Sequence, residues 1–296
     1  MNKEVDMRKL RYFLLLLSAS YSFTACDIIN PTEDVPGFIY VESFDVQPNA
    51  GQGTSSAKIS EVWVSAGPNF LGAYPLPALI PILEEGETAI ILSAGIKDNG
   101  ITATPEIYPF YESYETLIDL KPNEIDTLRP VIGYKNNAKF AFNETFENNG
   151  HLFKLEQSGL PIEITPNGAF EGNSAKILLN KDNPEVEIAT NLSFSNLYTN
   201  SIAVYLEVNY KSDVPVIFGL TGLSSNNAQD LGIRLYDPGF LESANWNKIY
   251  FNLSGLDPLN EFSSFRVSFL SVLSEDNDAN LEEANIYLDN IKLLHF

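Results

Sequence analysis

The chain has 296 residues, 44% of them hydrophobic, and its 39 acidic residues against 18 basic ones give a formal net charge of −21. Such an acidic surface repels phosphate backbones, and no cluster of Lys and Arg offsets it, so nucleic acid is not expected as a partner. Its single cysteine, Cys26, excludes an intramolecular disulfide, so the fold must depend on the hydrophobic cores that a chain of this length can form.

The N-terminus has the organisation of a secretory signal. A basic segment at residues 8–11 precedes an apolar run at residues 12–25, which is too short to span a bilayer as a permanent helix. The sequence Phe-Thr-Ala-Cys at residues 23–26 resembles a bacterial lipobox, although that pattern favours Leu where Phe23 stands. The resemblance implies cleavage after residue 25 and lipidation of Cys26, which anchors the chain to a membrane. The alternative is an ordinary signal peptide with a chance cysteine.

Translation has two candidate starts, Met1 and Met7. Met7 begins a more typical basic region, because Glu4 and Asp6 dilute the positive charge that precedes the apolar run. With either start the signal peptide of residues 1–25 is followed by a polar tether at residues 26–36, which lifts the folded part off the lipid surface.

Strand patterns predominate beyond the tether. Residues 37–46, 59–64 and 88–93 are rich in β-branched and aromatic side chains, and Gly, Pro and Asn fill the gaps between them. No segment has the sustained apolar stripe of an amphipathic helix. We therefore predict an all-β chain.

We predict two domains joined by a linker at residues 131–138. The part before the linker, residues 37–130, has the size of a seven-strand β-sandwich, and the part after it, residues 139–296, suits a β-jelly roll. Strands in the second part are predicted at residues 139–143, 174–179, 201–209, 216–223, 231–237, 248–253, 264–273 and 284–293. Several of these alternate apolar and polar residues, so one face of each strand is expected to be buried.

Both parts have family resemblances. The second part resembles a carbohydrate-binding-module-type jelly roll in four short motifs, at residues 142–147, 170–177, 246–251 and 286–291. The first part resembles an immunoglobulin-like sandwich of Bacteroidetes-type lipoproteins in its motifs at residues 62–64, 72–77, 81–83 and 95–101. The resemblance implies a lipid-anchored protein of the cell envelope, at the outer membrane, in a group without an assigned activity.

Catalysis has little support in the residues present. A Ser-His-Asp triad needs a histidine, and only His151 and His295 occur, without a G-x-S-x-G elbow. There is no H-E-x-x-H zinc motif, and the E-x-D-x-x-E arrangement of jelly-roll glucanases is missing. We therefore expect a protein that is not an enzyme, and glycoside hydrolysis by two of its many carboxylates is the weaker alternative.

A structural calcium ion is implied by resemblance alone. Many jelly rolls of this type hold Ca²⁺ through oxygen ligands on the opening and closing strands. The matching positions are Glu144 or Glu147, Glu171 or Asn173, and Asp289. The alternative is that these residues are solvated and lie at a sheet edge.

Aromatic residues are the candidates for glycan binding, because their faces pack against sugar C–H groups while nearby amides and carboxylates accept hydroxyl protons. The candidates are Trp246, Tyr198, Tyr210 and Tyr236, with a polar loop at residues 226–230. Aromatic residues in alternating strands more often belong to the core, which is predicted for Trp63 and Tyr205. For Trp246, at the start of a strand, a place in the core is the alternative.

Modification and partners follow from the same resemblances. Residues 126–128, Asp-Thr-Leu, resemble the O-glycosylation sequence of exported Bacteroidetes proteins, with Thr127 as the acceptor. The first functional hypothesis is a protein that binds glycan through the jelly roll and holds polysaccharide near the cell. The second is a structural or adhesive subunit that binds another envelope protein through sheet edges or a flat apolar patch.

Overall fold

The computed structural model describes residue 11 and residues 34–148, 150–156, 159–195, 197, 203–223, 230–254, 264–274 and 281–296, with side chains omitted at residues 230–238. From residue 34 onward the described residues form strands, turns and bends and contain no helix, which confirms the all-β prediction. Among all described residues, none belongs to a helix long and apolar enough to cross a membrane. The apolar run of the signal sequence and Cys26 lie outside the described residues.

Ten strands form a first unit, which we call the N-terminal sandwich. They are β1 (Gly37–Val41), β2 (Asp45–Val46), β3 (Glu61–Ala66), β4 (Asn69–Pro75), β5 (Ala78–Ile82), β6 (Gly86–Lys97), β7 (Pro105–Ile107), β8 (Tyr114–Leu120), β9 (Ile125–Leu128) and β10 (Val131–Ile132). One sheet has the order β5-β1-β9, with β1 and β9 parallel, and another has the order β4-β3-β6-β7, with β8 also paired to β6. A core that includes Ile39, Val64 and Leu92 fills the space between them.

Side-chain alternation accounts for this core. In β1, β3 and β5 every second residue is buried, because successive side chains of a strand point to opposite faces of the sheet. Val62 and Val64 point inward, so Trp63 lies on the outer face of β3, where its ring stacks on that of Phe70 at a centroid distance of 5.7 Å. The prediction that Trp63 belongs to the core is therefore wrong.

In the described part of residues 139–296, eleven further strands form the C-terminal sandwich. They are β11 (Lys139–Glu144), β12 (Phe153–Leu155), β13 (Glu163–Thr165), β14 (Ser174–Asn180), β15 (Glu185–Thr190), β16 (Val204–Ser212), β17 (Val216–Leu223), β18 (Asp230–Phe240), β19 (Ser243–Asn252), β20 (Ser264–Val272) and β21 (Glu283–His295). A six-stranded sheet has the order β13-β14-β21-β16-β19, with β11 also paired to β21. A five-stranded sheet has the order β12-β15-β20-β17-β18, and one large apolar core lies between the two sheets.

The sequence predicts that only one face of strand β16 is buried, but in the structure both faces are buried. All residues from 204 to 210 are buried. Leu206 and Val208 belong to the core of the C-terminal sandwich, whereas Tyr205 belongs to a cluster shared with the N-terminal sandwich. This confirms the core prediction for Tyr205. It also shows that the N-terminal sandwich covers part of the outer face of the six-stranded sheet.

Aromatic rings fill the contact between the two sandwiches. Tyr108 is the central ring, with centroid distances of 4.7 to 5.5 Å to Phe110, Tyr111, Tyr205 and Tyr250. The segment predicted as a linker takes part as well, since Ile132 and Tyr134 are buried in the same cluster. Part of the predicted linker is therefore buried in this contact, and the domain limits themselves stay a prediction.

Candidate functional site

A buried ionic cluster lies where the outer face of the six-stranded sheet meets the N-terminal sandwich. The Oε2 atom of Glu207 lies 2.6 Å from Nζ of Lys248 and 3.9 Å from Nζ of Lys292. The hydroxyls of Tyr108 and Tyr134 donate to Oε1 of the same carboxylate at 2.7 and 2.9 Å. The carboxylate and the lysines come from the C-terminal sandwich and the tyrosines come from the N-terminal part, so the cluster joins the two.

Electrostatics keep the central carboxylate ionised. Burial alone would raise the pKa of Glu207, but the charges of Lys248 and Lys292 and the hydrogen bonds that it accepts lower this pKa overall. Burial lowers the pKa of Lys292 to about 8, and the charge of Glu207 opposes this shift. One carboxylate thus faces two amines, and the cluster has an excess of positive charge when both are protonated.

The cluster also fixes a loop of the N-terminal sandwich, residues 53–58. Lys248 Nζ donates to the carbonyl oxygen of Ser56 at 2.8 Å, and Asn209 Nδ2 donates to the Ser56 hydroxyl at 2.7 Å. Gly53 has a φ of +86°, and a Cβ atom at this position would lie 2.6 Å from Cε of Lys292. The loop can lie this close to β21 because residue 53 has no side chain.

A cavity of about 430 Å³, which we call the aromatic cavity, opens between this loop and β19. Its walls are Ser55, Ser56, Ala57, Lys58, Phe170, Asn209, Trp246, Asn247 and Lys248. Two aromatic rings thus stand beside hydroxyl and amide groups. Such a combination offers both an apolar platform and hydrogen-bonding groups to a polyhydroxylated ligand.

Trp246 is held in a defined orientation at the rim of this cavity. Its Nε1 donates to the carbonyl oxygen of Gly168 at 3.0 Å, and its ring meets that of Phe170 edge to face at 5.4 Å. Lys211 Nζ donates to the same carbonyl at 3.2 Å and lies 4.2 Å from the centre of the Tyr287 ring. Trp246 is half-buried and belongs to none of the core clusters of the described residues, so part of its ring is open to a ligand.

A second cavity of about 420 Å³, the apolar cavity, adjoins the first. Lys58, Asn247 and Lys248 line both cavities, so the two form one groove along β19. Lys58 Nζ donates to Oδ1 of Asn247 at 2.7 Å, and Asn247 Nδ2 donates to the hydroxyl of Tyr210 at 3.0 Å. The remaining wall is mainly apolar and includes Ile101, Phe240, Leu241 and Ile249.

The groove contains both of the predicted glycan-binding residues whose side chains are described. Trp246 lines the aromatic cavity and Tyr210 lines the apolar cavity. Tyr210 is 6% exposed and its ring stacks on Phe240 at 3.9 Å, so this ring face is occupied and the hydroxyl is what the groove can use. Tyr198, the side chain of Tyr236 and the side chains of the polar loop at 226–230 lie outside the described residues.

Two of the carboxylates predicted to bind calcium are engaged by backbone amides. Glu144 is buried, and it accepts hydrogen bonds from the amides of Phe146 at 2.7 Å and Leu152 at 2.6 Å. Glu147 accepts one from the amide of Asn173 at 2.7 Å. These bonds use oxygens that a calcium ion would need.

Asp289 is the most enclosed of the predicted calcium ligands. It accepts hydrogen bonds from the Ser174 hydroxyl at 2.7 Å and from the amide of Glu171 at 3.4 Å. Burial, together with the charge of Glu147, raises the pKa of Asp289 to about 6. No three His, Cys, Asp or Glu side chains of the described residues are grouped so as to hold a metal ion. As arranged, these residues do not form a calcium shell, and calcium binding stays a prediction.

One close pair of carboxylates bears on hydrolysis. Asp98 and Glu106 share a hydrogen bond, and burial, that bond and the charge of Asp98 raise the pKa of Glu106. The two carboxylates of a glycosidase are about 5 to 9.5 Å apart, with the scissile bond between them. A hydrogen-bonded pair is closer than that, and neither residue lines the groove. This pair therefore does not provide a glycosidase site.

Thr127, the predicted O-glycosylation site, lies on β9 at the edge of the sheet β5-β1-β9. Its side chain is exposed, so a modifying enzyme can reach the hydroxyl. Glycosylation there stays a prediction.

Comparisons with known proteins found similarity only to solved structures. No family model and no curated protein matches the chain. A structure of carbohydrate-binding modules from the β-sandwich superfamily is 14% identical, covers 89% of this chain and 99% of its own, and has a TM-score of 0.36. The family 11 carbohydrate-binding module of a Clostridium thermocellum cellulosomal cellulase is also 14% identical, covers 54% and 95%, and has a TM-score of 0.37. A bacteriophage CBA120 tailspike domain has a TM-score of 0.37. Likeness at these scores carries no argument about function.

Three residues of the groove are missing from the sequence predictions. Phe170 and Asn247 lie in the jelly-roll motifs at residues 170–177 and 246–251. Of the residues in these two motifs, only Trp246, the neighbour of Asn247, is a candidate for sugar binding from the sequence. Lys58 hydrogen-bonds Asn247 across a sequence separation of 189 positions. No local pattern indicates that these two residues meet.

Proposed function

We propose that this protein is a non-catalytic, lipid-anchored protein of the cell envelope that binds polysaccharide in the groove along β19. The observation that carries the proposal is the aromatic cavity, where Trp246 and Phe170 stand beside Asn209 and Asn247 in a space of about 430 Å³. Cavities of this size are typical of sites for small ligands.

The binding mode follows from the chemistry of the lining. The half-buried ring of Trp246 presents apolar surface to the C–H face of a sugar, and the Gly168 carbonyl holds the indole in place before the ligand arrives. The amides of Asn209 and Asn247 and the hydroxyl of Ser55 then exchange hydrogen bonds with sugar hydroxyls. A preorganised aromatic and amide site binds without needing an acid–base pair.

Affinity electrophoresis against a panel of neutral and acidic polysaccharides tests this function. We expect at least one polysaccharide to retard the wild type, and Trp246→Ala or Phe170→Ala to remove most of the retardation. The matched control is Phe70→Ala, which removes an exposed ring that stacks on Trp63 of the N-terminal sandwich. Unretarded migration of the wild type on every gel, or equal losses in Phe170→Ala and Phe70→Ala, would sink the proposal.

The membrane anchor is supported by the position of Cys26 at the end of the apolar run. Lipidation there places the folded part at a membrane surface, where the tether of residues 26–36 leaves the groove accessible. Intact mass of the exported chain tests both modifications: we expect the mass of lipid on Cys26 and of glycan on Thr127. Protease shaving of intact cells tests whether the outer-membrane protein is displayed on the cell surface. We expect the chain to be cut in intact cells, and cutting only after lysis would contradict surface display.

A second candidate function, binding of another envelope protein, is favoured by one apolar sheet face. Leu79 on β5 is 52% exposed and Ile125 on β9 is 58% exposed, and the β1 residues Phe38 and Tyr40 are half-buried between these strands. Cross-linking in cells tests this candidate. We expect a heteromeric product that Leu79→Ser and Ile125→Ser reduce, and recovery of monomer alone would exclude it.

A further inference from the structure

Three lysines converge at the base of the groove. A recess of about 20 Å³ is lined by Lys58, Lys97 and Lys248. Lys248 is paired with Glu207, whereas no carboxylate of the described residues forms an ion pair with Lys58 or Lys97. In a chain with 39 acidic residues and only 18 basic ones, two neighbouring lysines without an acidic partner among the described residues form a local reversal of charge.

The geometry directs Lys58 toward the groove. Its backbone amide donates to the hydroxyl of Tyr250 at 3.0 Å, and its Nζ donates to Oδ1 of Asn247 at 2.7 Å, at the junction of the two cavities. An ammonium group has three donors, so two of them remain for a ligand. The side chain is therefore anchored at both ends without being neutralised.

Lys97 supplies the second charge. It ends β6, and the next residue, Asp98, points to the opposite face of the chain, where its carboxylate accepts a hydrogen bond from the side-chain Nδ2 of Asn252 at 2.7 Å. Partial burial and the charge of Lys97 lower the pKa of Lys58. An anion placed between the two ammonium groups would relieve this repulsion.

We propose that the groove selects acidic saccharides, with a sugar carboxylate held at the recess between Lys58 and Lys97. This rests on the proposed function and names its ligand class. The recess has room for about one water-sized group, such as a carboxylate oxygen, while the two cavities, which share Lys58 and Lys248 with it, accommodate the sugar rings. The overall charge of −21 opposes the binding of any acidic ligand, so the preference depends on the local positive charge of Lys58 and Lys97.

Isothermal titration calorimetry of the full-length chain with oligogalacturonate, and with the corresponding neutral oligogalactoside, tests the proposal. We expect the acidic ligand to bind at least about tenfold more tightly, and Lys58→Gln and Lys97→Gln each to weaken it by about five- to tenfold. Lys97→Gln, which changes a residue that lines the recess but neither cavity, should bind the neutral ligand as the wild type does, and the preference should shrink with added salt. The charge-matched control is Lys121→Gln, an exposed lysine of the N-terminal sandwich, which should bind both ligands like the wild type.

Each alternative outcome has a different meaning. Equal binding of both ligands that depends on Trp246 but not on Lys58 or Lys97 would overturn the acidic preference and leave glycan binding intact. A hexaglutamate peptide that binds as tightly as oligogalacturonate, with the same dependence on the two lysines, would overturn the assignment to saccharides. Absence of binding by either sugar and by every polysaccharide of the panel would overturn the proposed function itself.

Discussion

Oε2 of Glu207 on β16 and Nζ of Lys248 on the adjacent strand β19 form an ion pair at 2.6 Å. The N-terminal sandwich covers this pair and seals it from water. Such a pair contributes little net stability when it is complete, because the desolvation of both charges offsets their attraction. Loss of one partner is different, since the other charge is then buried without compensation. The pair therefore makes the fit between the sandwiches sensitive to single substitutions.

Glu207→Gln keeps the shape of the side chain but removes the charge that compensates Lys248 and Lys292. We expect the free energy of unfolding to fall by about 3 to 5 kcal/mol in chemical denaturation. The control is Glu163→Gln, which removes the exposed partner of Lys176 at 3.9 Å and should cost less than about 1 kcal/mol. Equal small losses in the two variants would contradict the role assigned to the cluster.

Tyr134→Phe tests the contribution of the N-terminal part to the same cluster. The Tyr134 hydroxyl donates to Glu207 and accepts a hydrogen bond from Lys292 Nζ at 3.1 Å, so its loss leaves buried polar groups with fewer partners. We expect a loss of about 1 to 3 kcal/mol in the free energy of unfolding. Tyr40→Phe is the control, because the Tyr40 hydroxyl forms no hydrogen bond with any described residue. A loss in Tyr134→Phe no larger than in this control would refute the prediction.

The strand pattern of the sequence predicts much of the fold. Alternation in residues 202–208 identifies Leu206 and Val208 as inward-facing, and the structure confirms both. The same alternation places Glu207 on the opposite face and indicates solvent there, whereas this face is covered by tyrosines from about 70 to 100 positions earlier in the chain. Periodicity tells which residues share a face, but it cannot tell what covers that face.

The candidate site is less predictable for the same reason. Trp246 has a chemical signal in the sequence, while the residues that make it part of a cavity come from distant loops, such as Phe170 and the segment at 53–58. One clue is present in the closing strand, where Lys292 interrupts the apolar run Ile291, Leu293 and Leu294. A charged residue in such a run indicates a buried partner, and here that partner is Glu207.

The raised pKa of Asp289 makes stability depend on pH. Its pKa is about 6 in the folded protein and about 3.9 in an unfolded chain, so between these values the folded state holds the proton more tightly. The stabilisation by protonated Asp289 is therefore fully present below pH 4 and is lost as pH rises through about 6. The loss in the free energy of unfolding amounts to up to about 3 kcal/mol.

Asp289→Asn isolates this dependence from that of the other carboxylates. We expect the unfolding free energy of the wild type, relative to that of the variant, to fall between pH 4 and pH 7 and then to stay level. Chemical denaturation at a series of pH values measures it. Asp119→Asn, at a carboxylate that is 68% exposed, should follow the wild-type curve. A constant difference between wild type and Asp289→Asn across this range would contradict the assignment.

Calcium binding, where the sequence predicts it, would act on the same carboxylate. A cation beside Asp289 and Glu147 compensates two charges that repel each other, so it stabilises the folded state most at neutral pH. A calcium site there would raise the melting temperature at pH 7.5 when CaCl₂ replaces EDTA, by an amount equivalent to about 2.7 kcal/mol at one hundred times the dissociation constant. Glu147→Gln should reduce the rise, and an unchanged melting temperature in the wild type would exclude a calcium site.

Two glycines of one loop allow a matched test of the link between the ionic cluster and the groove. Gly51 and Gly53 have similar φ values of +85° and +86°, so alanine at either position adds the same backbone strain. A Cβ at position 51 meets nothing within 4 Å, whereas one at position 53 would lie 2.6 Å from Cε of Lys292. We expect Gly51→Ala to lose about 1 kcal/mol and Gly53→Ala to lose about 1 to 3 kcal/mol more, as measured by chemical denaturation.

The same pair separates a local effect from one on the site. In Gly53→Ala either the Lys292 side chain or the loop must shift, and a shift of the loop displaces Ser56 and Lys58 from the walls of the aromatic cavity. In affinity electrophoresis, retardation by a polysaccharide that binds the wild type should therefore decrease in Gly53→Ala and remain at the wild-type level in Gly51→Ala. If both variants bound polysaccharide equally while differing in stability, the loop would support the fold without shaping the groove.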